Sequence, residues 1–247
     1  MTLPMRKPGR LFGVGVGPGD PELLTIRATK IISAAPVVAY FAKKDARGVA
    51  RTIIDRWICE ATLELPLPYP LTTEVPFRHP DYAATLCAFY ESAKQEIAGH
   101  LSAGRDVALI CEGDPLLYGS FMHLYVRLKD CYEVEVIPGI SGMSGCWSAA
   151  RVPIAWGNEV LSILPGTLDA PALARHLASS DAIVIIKVGA NLAKIRAAII
   201  EAGKIETAIY IEHGTGETEK ICPLHEMTGD RAPYFSLILV PGKGRPI

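Results

Sequence analysis

Three short segments combine glycine, proline and carboxylate in patterns that would bring a ligand against main chain and negative charge. The first is Gly13-Val14-Gly15-Val16-Gly17-Pro18-Gly19-Asp20-Pro21-Glu22, directly after a short apolar run. A glycine-rich turn between strand and helix is where dinucleotide and phosphate loops sit, but the pattern here is different. G-x-G-x-x-G counted from Gly13 meets Pro18 at its last glycine, and counted from Gly15 it meets Asp20; G-x-x-x-x-G-K-[ST] is not present either. Pro18 and Pro21 remove amide donors, and Asp20 and Glu22 put negative charge where a pyrophosphate would approach. Glycine still lets a ligand come close to the backbone, so the turn suits a group that is neutral or cationic at that point. A purely structural account exists as well: Asp20-Pro21 is a good helix start, with Asp capping free amides and Pro at the first helical position.

The second segment, Glu112-Gly113-Asp114-Pro115-Leu116-Leu117-Tyr118-Gly119-Ser120, follows the apolar run 107–111, and the third, Pro138-Gly139-Ile140-Ser141-Gly142, follows 134–137. An acidic residue at the carboxyl end of a parallel strand lies at the crevice where open α/β sheets bind ligands. Taken alone, Gly-Asp-Pro is a turn signal and helix capping by Asp114 is the commoner explanation.

Metal and redox chemistry find no support. The cysteines at 59, 87, 111, 131, 146 and 222 form no C-x-x-C pair, and neither His123 nor His213 has a partner at ligand spacing. Buried reduced thiols are expected.

The elements that must position these turns follow from the apolar pattern. Residues 11–16, 37–41, 107–111 and 134–137 are short, rich in Val and Ile, and bounded by Gly, Pro or Asp, as strands buried on both faces are. Between them, 81–103 carries Tyr82, Leu86, Phe89, Tyr90, Ala93, Ile97 and Leu101 on one stripe, with Gly104 as a stop. In the second half 160–164, 182–187, 208–212 and 234–240 read as strands, 169–179 and 190–202 as helices, and 218–223 as an extra strand or hairpin arm. The fold class is therefore α/β in two domains, 1–142 with a mostly parallel sheet and 143–247 with a mixed one. Residues 65–80, with prolines at 66, 68, 70, 76 and 80, cannot form a regular helix or a central strand, and a surface loop bordering a site is expected.

Composition bounds the partners. In 247 residues, 25 Lys+Arg face 26 Asp+Glu, which leaves no net basic field for nucleic acid. The apolar runs 182–186 and 236–240 fall far short of the roughly 20 residues of a membrane helix. The apolar run after Arg6, Lys7 and Arg10 is short, rich in glycine and without a small-residue cleavage site, so a cytoplasmic location is expected.

Taken together, three such turns at these separations are far more specific than any one. They resemble the tetrapyrrole (corrin and porphyrin) methyltransferases, whose sequences carry a V-G-x-G-P-G-D-P-E-L-L-T start, a central G-D-P and a V-[IV]-P-G-[IV]-[ST] turn. The likeness runs through nearly the whole chain, including Lys187-Val188-Gly189 and Glu212-His213-Gly214-Thr215. Within the family, 111–125 (CEGDPLLYGSFMHLY) and Leu164-Pro165-Gly166-Thr167-Leu168 are similar to the branch that methylates C20 of precorrin-2 to give precorrin-3A.

The resemblance implies S-adenosylmethionine as methyl donor, S-adenosylhomocysteine as product, a cleft between the two domains as the site, and a homodimer. By motif, Pro18 belongs to the glycine-rich loop. Gly113 and Asp114 match the pair that contacts the methionine end of the donor, Leu117 an apolar contact, and Ser141 and Gly142 the pair in the third turn. Leu164, Val188 and Gly214 match positions that enclose adenosine. Two departures stand out: many relatives have Gly in place of Glu112, and Tyr-Met in place of Lys187-Val188. The implied substrate is a polycarboxylate, for which Lys43, Lys44 and Arg47, in the densest basic cluster with Arg51, are the candidate cations, and Arg78 and His79 lie in the proline-rich stretch; a solvated helix face explains any single one equally well. The implied nucleophile is the electron-rich C20 meso carbon, so no nucleophilic side chain is needed, and no catalytic base is assigned. Alternatives are the cobalt-containing form of the substrate, another ring carbon, a diphthine-synthase-like protein methylation and, from another class, a nucleotide-binding or sensor module.

Overall fold

The computed structural model describes residues 7–43, 46–70 and 82–244. The chain divides into two compact units, Met1–Gly142 and Met143–Ile247.

The first unit is a five-stranded parallel sheet. Its strands are β1 (Leu11–Gly15), β2 (Val37–Ala42), β3 (Leu63–Pro68), β4 (Val107–Cys111) and β5 (Val134–Ile137), in the order β3-β2-β4-β1-β5. Side-chain alternation splits its core in two. Phe12, Val14, Val38, Tyr40, Ala108 and Ile110 pack with Ala28 and Ile32 of α1 (Ile26–Ala34) and with Ala50 and Ile53 of α2 (Val49–Ile53). Leu11, Val37, Ala39, Val107, Leu109 and Cys111 pack with Tyr90, Ile97 and Leu101 of α3 (Tyr82–Ser102) and with Phe121, Leu124 and Leu128 of α4 (Phe121–Leu128). Helices thus cover both faces, which is why these strands read as unbroken apolar runs.

The strand order has a functional consequence. β1 and β4 are neighbours, yet the chain leaving β1 goes to α1 on one face and the chain leaving β4 goes to α4 on the other. Such a switch point opens a crevice at the carboxyl ends of the strands. With β5 on the far side of β1, all three glycine turns emerge side by side at that edge.

Two details differ from the sequence expectation. Residues 65–68 are not loop but part of the edge strand β3, with Pro66 and Pro68 in register with Tyr40 and Ala42. The amides of Leu63 and Tyr69 point to β2, donating to Pro36 O (3.0 Å) and Ala42 O (2.8 Å). The alternate positions 66 and 68 therefore face the open edge, where a missing donor costs no ladder bond. Residues 71–80 of that expected loop lie outside the described residues. Secondly, the helix that Asp20 and Pro21 start is only a single 3₁₀ turn, Pro21–Leu23: Asp20 caps it as expected, accepting Glu22 N at 2.8 Å with Pro21 at its first position, while α1 has its own cap in Thr25, whose Oγ1 accepts Ala28 N at 3.1 Å.

The second unit holds the mixed sheet. Strands β6 (Leu161–Pro165), β7 (Ala182–Ile186), β8 (Ile209–Glu212), β9 (Lys220–Pro223) and β10 (Ser236–Val240) lie in the order β6-β7-β10-β8-β9. β6 and β7 are parallel, β10 is antiparallel to both β7 and β8, and β9 is the hairpin arm expected from 218–223. It follows that β6, β7 and β8 run the same way. Between the chain boundary and β6 lies α5 (Gly142–Ala149), whose Met143 and Cys146 pack on one face of this sheet, against Val184, Ile211 and Leu239. On the other face lie α6 (Ala170–Ser179) and α7 (Leu192–Glu201).

Candidate functional site

Glycine is required where the three turns of the first unit meet. A Cβ on Gly15 would stand 2.5 Å from Gly113 O and 2.5 Å from Gly139 N, and one on Gly139 would stand 2.1 Å from Gly113 O. Main chain from β1, β4 and β5 thus meets in direct contact, closer than any side chain allows. Hydrogen bonds lock the junction: Val16 N donates to Cys111 O (2.9 Å) and Gly113 N to Gly17 O (2.7 Å). Gly17 and Gly113 adopt φ of +80° and +66° to make that bridge.

Asp114 fastens the second turn to the third. Its Oδ1 accepts Leu116 N at 2.9 Å and its Oδ2 accepts Gly139 N at 3.2 Å. It caps a local turn and not a helix, since α4 begins only at Phe121, with Ser120 at the cap position and no side-chain cap bond. Just beyond Asp114, Leu116, Leu117 and Tyr118 form an exposed apolar run, 49%, 38% and 48% accessible. Ser141 is half-buried, and among the described residues no atom lies within 4 Å of a Cβ built on Gly142. Pro18, between Gly17 and Gly19, is half-buried too.

Glu112 is differently placed. It follows the last residue of β4, and its Oε1 accepts Ala50 N at 3.0 Å, at the start of α2. The residue keeps solvent-accessible surface while protein crowds the carboxyl, and the resulting desolvation raises its pKa above the usual carboxylate range; hydrogen bonds from the Glu112 and Ala50 amides work the other way. Among the described residues it forms no ion pair.

The chemistry of the donor set fits a sulfonium ligand. The three turns contain no lysine or arginine, four of their residues are prolines without an amide donor (Pro18, Pro21, Pro115, Pro138), and the amides of Gly113 and Gly139 are already bonded inside the junction. A phosphate would meet carbonyls and carboxylate. A cationic, phosphate-free molecule such as S-adenosylmethionine meets complementary charge.

In the second unit the ends of β6, β7 and β8 carry the other expected positions. Leu164 and Val188 are 4% and 0% accessible, with their side chains in the core beside Leu173 and Ile195. Their side chains are therefore withdrawn from any ligand, which the sequence did not disclose. Gly214 packs against α5, where a Cβ would meet Cys146 Sγ at 2.4 Å. Burial pushes the Cys146 thiol up to about 12. Three non-glycine residues here have left-handed backbone, Lys187 (φ 56°), His213 (φ 47°) and Thr215 (φ 67°). Strain of this kind gathers at functional sites, and it has no signal in the residue types.

The expected substrate cations divide. Lys43 is exposed, and Lys44, Arg78 and His79 lie outside the described residues. Arg47 is held by Asp55 through two bonds (3.1 and 2.5 Å). Arg51, 4% accessible, grips Glu64 through two bonds (2.7 and 2.6 Å) and also pairs with Asp55. Tyr40 OH donates to the same Glu64 at 3.0 Å. Arg51 is thus a structural cation. His123 stacks on Tyr90 with centroids 4.4 Å apart, and burial together with Arg127 lowers its pKa. No group of three or more potential metal ligands occurs among the described residues, and none of the described helices is long and apolar enough to cross a membrane.

Known proteins of one family are similar to this chain. Residues 10–227 match the Tetrapyrrole (Corrin/Porphyrin) Methylases. A precorrin-2 C(20)-methyltransferase from Sinorhizobium sp is 51% identical over 96% of this chain and 98% of its own. A cobalt-precorrin-2 C(20)-methyltransferase from Salmonella typhimurium is 27% identical over 94% and 96%. Among solved structures, uroporphyrin-III C-methyl transferase from Thermus thermophilus, complexed with S-adenyl homocysteine, shares the fold with a TM-score of 0.67 at 21% identity, covering 95% of this chain and 98% of that one. A match over most of the chain, and a relative with more than half its residues in common from end to end, make this protein a member of the tetrapyrrole methylase family.

Proposed function

We propose that the protein transfers a methyl group from S-adenosylmethionine to C20 of precorrin-2, giving precorrin-3A and S-adenosylhomocysteine, in cobalamin biosynthesis. The observation that carries this reading is the 51% identity, sustained over nearly all of both chains, to a relative named for that reaction. The relative named for the cobalt-containing substrate stands at 27%, which favours the metal-free ring.

When bound, the donor supplies an electrophilic methyl carbon on a sulfonium leaving group, so the protein has to orient, enclose and neutralise. The Gly15–Gly113–Gly139 junction supplies a rigid main-chain floor. Asp114 places a negative charge beside it without mobility, because both oxygens are tied to amides. Pro18, Gly113, Asp114, Leu117, Ser141, Gly142, Leu164, Val188 and Gly214 are the residues we assign to the donor. Lys43, Lys44 and Arg47 are assigned to the substrate carboxylates. A cytoplasmic homodimer completes the reading; the dimer rests on the family resemblance, and light scattering on the purified protein tests it.

The deciding experiment incubates the purified protein with S-adenosylmethionine and either precorrin-2 or its cobalt form, and analyses the product by mass and NMR. One added methyl on C20 of the metal-free ring is expected. Turnover of the cobalt form alone, or methylation at a different carbon, overturns the assignment.

A further inference from the structure

We propose that Glu112 is the proton acceptor that completes C20 methylation, an inference that rests on the reading above. The reaction requires one. As the C20 electron pair forms the new C–CH3 bond, the S–CH3 pair leaves with sulfur. C20 then carries both hydrogen and methyl, and conjugation returns only when the C20–H pair goes back into the ring and its proton is taken up. No oxidant or reductant enters this balance.

The three turns offer four carboxylates, and the structure separates their tasks. Asp114 has one oxygen on Leu116 N and the other on Gly139 N, and Asp20 is engaged with Glu22 N. Glu22 lies exposed in the 3₁₀ turn behind Asp20. Glu112 stands where β4 enters the junction, its backbone fixed by the neighbouring Gly17–Gly113 bridge. Both oxygens of Asp114 hold an amide, whereas on Glu112 it is Oε1 that accepts Ala50 N at 3.0 Å, and a carboxylate has about four lone-pair sites. The side chain is oriented and still has acceptor capacity, which suits a proton acceptor.

The groups packed around it keep its basicity. Cys111 of β4 and Asp114 of the turn contribute no positive charge, and the Cys111 thiol is itself pushed up by burial and by Glu112. On α2, the neighbouring cation Arg51 is turned into Glu64 and Asp55. Desolvation, with no cation paired to it among the described residues, raises the Glu112 carboxyl above the usual carboxylate range, the direction that favours a general base. Arg51 also anchors α2, and so holds the Ala50 amide that aims the carboxylate.

The test compares wild type with Glu112→Gln and Glu112→Asp. Gln keeps an oxygen for Ala50 N but takes up no proton. Rapid quench on precorrin-2 follows S-adenosylhomocysteine release and the return of the ring chromophore separately. In wild type the two should rise together. In Glu112→Gln the first turnover of S-adenosylhomocysteine should persist while the chromophore lags by roughly 100-fold or more, and C20-deuterated substrate should slow the chromophore step further. Glu112→Asp should recover part of the rate, and the melting temperature and S-adenosylhomocysteine affinity of all three proteins should agree. A Glu112→Gln protein whose chromophore keeps pace with S-adenosylhomocysteine overturns the role of Glu112 and leaves the C20 reading standing. A wild type that does not methylate C20 removes both.

Discussion

The carboxylate of Asp114 reaches across to the amide of Gly139, 3.2 Å away, while its other oxygen holds Leu116 N at 2.9 Å. One side chain therefore serves as scaffold and as fixed charge, and two substitutions separate the roles. Asp114→Ala deprives two amides of a charged acceptor, a loss of about 1–3 kcal/mol, and its melting temperature should fall by several degrees. Asp114→Asn retains one acceptor oxygen and should melt nearer wild type. Both should bind S-adenosylhomocysteine more weakly in calorimetry. Wild-type affinity in Asp114→Asn would leave the charge without a part in binding.

The junction glycines predict a contrast between neighbours in sequence. A methyl group on Gly139 meets Gly113 O at 2.1 Å, and backbone has nowhere to go, whereas among the described residues nothing stands within 4 Å of one on Gly142. Gly139→Ala should lose at least 1–3 kcal/mol, roughly the cost of overpacking, and give little soluble protein. Gly142→Ala should melt like wild type and reveal its effect only in S-adenosylhomocysteine affinity. Equal stability of the two variants would contradict the close approach of β1, β4 and β5.

How far residue types alone reached depended on whether a feature is local. The strands and the helix 82–102 were legible because burial on two faces or one writes itself into apolar periodicity. The three turns were legible because glycine and proline constrain backbone directly. Contacts between turns were not: Asp114 looked like a helix cap because its partner Gly139 is distant in sequence, and the brevity of the helix that Asp20 caps was hidden because Thr25, which starts α1 afresh, is a quieter signal. Pro66 and Pro68 argued for a loop until the edge position of β3 removed the objection. Arg51 looked like one more surface cation because its partner Glu64 comes from β3, thirteen residues further on.

That network predicts how stability responds to acid. Arg51 and Tyr40 hold the Glu64 carboxyl below the usual range, chiefly through the Arg51 hydrogen bonds. A pKa lower in the folded than in the unfolded chain stabilises the fold above the unfolded value of about 4.3, and this contribution is lost as pH falls from there toward the folded value. Thermal melts of wild type and Glu64→Gln should therefore differ at pH 6 to 7 and converge as pH drops below about 4. A gap that persists in acid would place the stabilisation elsewhere.

The basic cluster yields a prediction about substrate. Lys43 is exposed, while Arg47 is already held by Asp55. An exposed lysine facing a polycarboxylate acts as a screened point charge worth up to about 1 kcal/mol. Lys43→Ala should raise KM for precorrin-2 severalfold at low salt, with the effect shrinking as salt is added. Arg47→Ala should alter KM less, because its charge is largely compensated. Salt-independent effects, or a larger effect at Arg47, would redraw the substrate-facing cations.

Ligand choice tests the electrostatics of the three turns as a whole. With no lysine or arginine in any of them and four prolines among their residues, a phosphate lacks both counter-charge and donors there. A ligand that binds only the folded protein raises its melting temperature by mass action. S-adenosylhomocysteine, at a concentration well above its Kd, should stabilise by about 2–3 kcal/mol, while NAD and ATP at the same concentration should leave the melt unchanged. The Asp114→Asn protein should show a smaller shift with S-adenosylhomocysteine, since the turn keeps most of its bonds and loses its charge. Stabilisation by NAD or ATP instead would mean that the glycine turns accept phosphate after all, and the methyl-donor site would have to be sought elsewhere in the chain.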